Sequence, residues 1–192
     1  LINDIYTQGE AGKATCIDNA QDVITVGSFE LSSVFNLLTG SDTLIAHGFT
    51  DIFIAKHDSN GTLKWVKHIG GVGNEDVNDV VTDDQGNIYL VGIFDHTVDF
   101  DPGPAIHHQT TLNSFDAFIC KLNPQGNFLW VRFVRGNNLE QINSIAIQDN
   151  RLLYLGGNFW GTGEFQGLDT LLAVNKKDAF VAQMDTAGTL NW

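Results

Sequence analysis

Positive charge is scarce in this 192-residue chain: 10 Lys and Arg stand against 23 Asp and Glu, a net charge of −13. Phosphate backbones and anionic lipid surfaces repel such a molecule, which argues against nucleic acid and membrane as partners. Long apolar runs are also missing, since none approaches the ~20 residues that a membrane-crossing helix needs. Only two cysteines occur, Cys16 and Cys120, both among strand-like neighbours, and their plain reading is buried free thiols. Enzyme signatures are absent: there is no G-x-S-x-G elbow, no H-E-x-x-H and no phosphate loop, so no catalytic residue is assigned. The chain opens on Leu1 rather than a methionine, which suggests processing or excision from a longer product. What is present is apolar material, 43% of the residues against 17% charged, enough for a substantial core.

The second thing present is repetition. "DIFIAKHDSNGTLKW" (Asp51 to Trp65) returns as "DAFICKLNPQGNFLW" (Asp116 to Trp130) and "DAFVAQMDTAGTLNW" (Asp178 to Trp192). Gly27, Gly92 and Gly157 are 65 residues apart, each with a phenylalanine two places on. A fixed period of this size marks a repeat architecture. In the second copy four extended segments alternate with Gly, Asn and Pro punctuation: "VNDVVTD", "IYLVGIF", "AFICKL" and "FLWVRFV". Their β-branched and aromatic content predicts two hairpins per copy, and near-continuous apolarity predicts strands covered on both faces. The expectation is an all-β propeller of three four-stranded antiparallel blades, at about 10–68, 75–134 and 140–192, in one propeller segment spanning 1–192 with 1–5 completing an outer strand. Lys64, Lys67, Arg132 and Arg135 interrupt the fourth segment, as an exposed edge strand requires. The recurring tryptophans are expected across the blade interfaces, with Trp65 and Trp130 largely buried. Asp51, Asp116 and Asp178 are expected to cap turns through backbone amides.

"DAFICKLNPQGNFLWVRFV", "DDQGNIYLVGIF" and "VDFDPGP" together resemble the seven-bladed β-propeller (SBBP) repeat family of bacterial secreted and cell-surface proteins. The resemblance spans essentially the whole chain. It implies an extracellular or cell-surface setting and a role in surface architecture or in binding a protein or glycan, and it brings no catalytic residues. Two departures are the first copy's "VFN" in place of "DFD", and Gln183 in place of the lysine at Lys56 and Lys121.

Candidate binding residues come from what recurs and what does not. Glu10, Glu75 and Glu140 recur at 65-residue spacing just before the first strand of each copy. At the mouth of a channel they would form a ring of carboxylates able to collect a cation or an amine, while the plainer reading has each accept backbone amides of the adjacent blade. Trp160 stands alone, its counterparts being Glu30 and Asp95, and is expected to be the most exposed tryptophan, able to stack on a sugar or a protein. Asp99 and Asp101 in "DFDPG" fall on one side of a short extended segment, a geometry for calcium, although two carboxylates fall well short of its six to eight oxygens and a capped turn is the plainer reading. Calcium is thus the single cofactor considered. His107 and His108, being adjacent, point to opposite faces and do not clamp an ion. The function expected is a non-catalytic extracellular binding or structural module. Its rivals are a carbohydrate-active enzyme using carboxylates at the propeller mouth and a calcium-stabilised assembly element.

Leu1 aligns with Val66, so Leu1 to Ile5 would continue the outer strand that Gly188 to Trp192 begins. Rings typically take about four to eight blades. Open end faces are therefore expected to be covered by further blades of a longer chain, or by a second copy in a six-bladed ring.

Overall fold

The computed structural model describes residues 9, 11–36, 41–112, 114–165 and 170–192. Glu10 and Leu1 to Ile5 lie outside the described residues. The protein is all-β, with no helix among the described residues and so none long and apolar enough to cross a membrane. The first repeat contributes β1 (Ala11–Ile17), β2 (Val23–Phe29), β3 (Ser32–Asn36), β4 (Ser41–Ile45), β5 (Asp51–His57) and β6 (Leu63–Gly71). The second contributes β7 (Glu75–Thr82), β8 (Ile88–Phe94), β9 (Thr97–Asp99), β10 (His108–Thr110), β11 (Asp116–Leu122) and β12 (Phe128–Gly136). The third contributes β13 (Gln141–Gln148), β14 (Leu152–Phe165) and β15 (Thr170–Asp185).

The turns show why these segments become hairpins. In "HDSNGT", "LNPQGN" and "MDTAGT" an Asp or Asn accepts two amides of its own turn: Asp58 from Asn60 and Thr62, Asn123 from Gln125 and Asn127, Asp185 from Ala187 and Thr189. The glycine that follows, Gly61, Gly126 or Gly188, takes φ of 83°, 76° or 88°, a region that L side chains rarely adopt. Asp18 and Asp83 cap the inner-hairpin turns in the same way.

Antiparallel pairing runs β1-β2-β5-β6-β9-β10 in one sheet and β7-β8-β11-β12-β14-β13 in another, with β15 on β14, so the pairs β6–β9 and β12–β14 join successive repeats. The third repeat departs from the expected four segments. β14 and β15 form one long hairpin beside β13, and the stretch before Trp192 contributes a single bridge, Leu190 to Met184. The variable loops are themselves structured, as the β3–β4 and β9–β10 hairpins. Each first strand carries a bulge at the same place in the period, between Gly12 and Ala14, Val77 and Asp79, and Ile142 and Ser144. A bulge turns its extra residue out of the ladder, and two of these residues reach the following repeat. Lys13 Nζ lies 3.1 Å from Asp76 and Asn78 donates to the Ile142 carbonyl at 2.7 Å.

Successive repeats pack face to face, with β1 against β7 and β7 against β13. Ile24, Ile54, Leu90, Phe118 and Leu122 fill the layer between the first and second repeats. Tyr89, Val91, Ile119, Leu153, Leu155 and Phe180 fill the next layer. The strands of the second repeat are therefore covered on both faces, as their unbroken apolar sequences require, and each such side chain contributes about 1.5–3 kcal/mol by leaving water. A polar chain runs along the inner turns. Asn19 Nδ2 donates to Asp84 Oδ1 at 2.9 Å, and the Asp84 amide donates to Asn150 Oδ1 at 3.0 Å.

Among the tryptophans only the expectation for Trp160 is overturned. Trp65 and Trp130 are largely buried, each packed against the margin of an apolar layer with part of the ring toward solvent. Trp192, at 60% exposed, exceeds Trp160, which is half-buried with Lys177 Nζ 4.3 Å over its ring. Trp65 and Trp130 have a following repeat to pack on, whereas Trp192 lies on the uncovered face of the third.

Candidate functional site

The recurring acids gather where one repeat hands over to the next. At the first junction Asp51 opens β5 and Glu75 opens β7, and both are fully buried. The equivalent pair at the second junction, Asp116 opening β11 and Glu140 just before β13, is equally buried. Asp51 and Asp178 reach back four residues: Asp51 Oδ2 accepts the His47 amide at 3.0 Å and Asp178 Oδ2 the Val174 amide at 2.7 Å. That is the expected turn cap. Glu75 Oε2 accepts the Gly71 amide at 2.8 Å, from the end of the preceding repeat, which is the plainer of its two readings. Its other oxygen, like Oδ1 of Asp51, is buried.

Burial of two acids side by side disfavours their charged forms. Desolvation, reinforced by the Asp51 charge, pushes Glu75 up to about 9. Desolvation with the Asp116 charge raises Glu140 to about 7, and desolvation raises Asp116 to about 6 against the opposing pull of Arg135.

The junctions differ in the basic side chain set against the Asp. At the second, Arg135 Nε stands 3.4 Å from Asp116 Oδ2 while its guanidinium lies over the Phe133 ring at 4.4 Å. At the first, the place of Arg135 is taken by Gly70, and a Cβ there would run into the Asp51 carboxylate. The compensating group is His68, from β6, whose Nε2 is 3.1 Å from Asp51 Oδ2. The exposed His47 ring sits 4.6 Å from the His68 ring at 71°. Among the described residues His47, Asp51 and His68 form the one group of three or more metal-ligating side chains, their ligand atoms all within 4.8 Å of one another.

The other sequence-derived candidates lie apart from this group. Asp99 Oδ1 accepts the amides of Asp101 and His107, and Asp101 Oδ1 that of Gly103, so both carboxylates serve the turn. Trp160 stands on β14 at a bulge facing Lys177 of β15. His47 and His68 were not singled out from the sequence. The signal was available, because their counterparts in the second copy are Leu112 and Phe133. Comparison with known protein families and with characterised proteins finds no match for this chain.

Proposed function

We propose that the chain is a non-catalytic binding or structural module of the cell surface, built of successive propeller blades, whose partners are a protein or glycan and further blades. The observation that carries this reading is where its recurring polar groups go. Asn78, Asp84, Glu75 and Lys121 all bond to a neighbouring repeat, Lys121 through the Thr186 carbonyl at 3.0 Å. Groups spent in this way hold a scaffold together. A glycosidase would need at least one acid of a pair open to substrate, and Glu75, Asp116 and Glu140 are shut away from solvent.

The outer face of the third repeat supports association. Val181 is 67% exposed although its counterparts Ile54 and Ile119 are fully buried, and Leu171, Leu190 and Trp192 line a cavity with it. An open sheet face of this kind favours a covering layer. Light scattering at micromolar concentration should show a mass above the monomer, and Val181→Lys should reduce it. A monomer unaffected by that substitution counts against association, and turnover of aryl glycosides would overturn the non-catalytic reading.

A further inference from the structure

We propose that His47, Asp51 and His68 form a binding site for a divalent transition-metal ion of the zinc class, held at the junction of the first and second repeats. Two imidazoles and one carboxylate are the donor set such ions select, whereas calcium and magnesium take oxygen ligands. The anchor is already in place. Asp51 is fully buried, and its Oδ2 is fixed by the His47 amide. His68 Nε2 is 3.1 Å from Asp51 Oδ2, so both donors already converge.

His47 supplies access and the last movement. Its ring is exposed, and from within 4.8 Å of the other two ligand atoms a side-chain rotation can close the remaining distance. Gly70 keeps the space beside the Asp51 carboxylate clear, where the next repeat places Arg135. A cation already occupies the second junction as a side chain. The first junction has the same buried acids, no arginine, and two histidines found in no other copy. Glu75, hydrogen-bonded to Asp51, would serve as an outer partner, and the fourth position of a three-ligand site would be open to solvent.

The ligands come from three places: the loop after β4, the start of β5 and β6. An ion would therefore tie the β3–β4 hairpin to the first sheet and raise the melting temperature with concentration. The test is calorimetric titration of the chelator-treated protein with Zn²⁺, alongside the visible spectrum with Co²⁺ and a Ca²⁺ control. One equivalent of Zn²⁺ should bind, Co²⁺ should give the intense absorption of a four-coordinate centre, and Ca²⁺ should not compete. His47→Ala alters an exposed ring and should leave the metal-free melting temperature unchanged. It should lower zinc affinity at least by the about 10- to 100-fold that loss of an outer partner costs. His68→Gln keeps a donor toward Asp51 and should lower affinity similarly. Absence of Zn²⁺ binding, or binding that both variants retain, overturns the proposal; retention would place the ion on other histidines.

Discussion

The two repeat junctions pose one electrostatic problem and solve it differently. Both bury an Asp–Glu pair at the same place in the period. The second sets a guanidinium against Asp116, a fixed positive charge that stacks on Phe133 and cannot be withdrawn. The first sets against Asp51 an imidazole, His68, with Nε2 3.1 Å from Asp51 Oδ2. A repeated scaffold thus keeps its acids and varies the basic side chain, and the variable position is where a particular copy acquires its own chemistry.

The largest expected effect comes from removing the fixed cation. Arg135→Ala leaves Asp116 and Glu140 buried without a counter-charge and should destabilise the protein by about 3 kcal/mol near pH 8. At pH 5 the loss should be smaller, because Asp116, raised to about 6, is then protonated. Denaturant titration at the two pH values checks this, and equal losses would show that packing on Phe133 rather than charge is the contribution of Arg135.

Next comes the space at the first junction. Gly70→Ala places a methyl against a carboxylate that its buried position prevents from moving aside, and should cost about 1–3 kcal/mol. A neutral result by thermal melting would mean that the two junctions have interchangeable backbones and differ only in side chains.

The mildest effect concerns pH. Asp116 and Glu140 have folded-state values raised above their unfolded ones, so the stability tied to their neutral forms is fully present below about pH 4. It is lost as pH rises through about 6 for Asp116 and about 7 for Glu140. Each proton released contributes a slope of at most about 1.4 kcal/mol per pH unit. Glu140→Gln should flatten the fall in melting temperature between pH 5 and 7 while leaving the contribution of Asp116. An unchanged profile would assign the dependence elsewhere.

Much of the candidate site was legible as position and little of it as partnership. Glu75 and Glu140 stand out by their spacing, and Asp51 and Asp178 declare themselves as caps because an Asp accepting the amide four residues back is a local arrangement. That Asp51 meets Glu75, or Asp116 meets Glu140, appears only when two sheets are stacked. His47 and His68 are 21 residues apart, on a loop and a strand, and no local pattern joins them. Trp192 shows the converse. Its sequence context matches that of Trp65 and Trp130, yet it is exposed because its burial would depend on a neighbouring layer.

The sequence by itself determined the strands, the turns between them and the period of about 65 residues. Backbone conformation at "DSNG", "NPQG" and "DTAG" follows from side chains two to four residues away, and apolar runs demand cover wherever they lie. Tertiary structure decided which acids are paired, which basic side chain answers them and which apolar face stays open. Those outcomes depend on desolvation and on distances of a few ångströms between residues remote in the chain, and neither exists until one sheet has packed against the next.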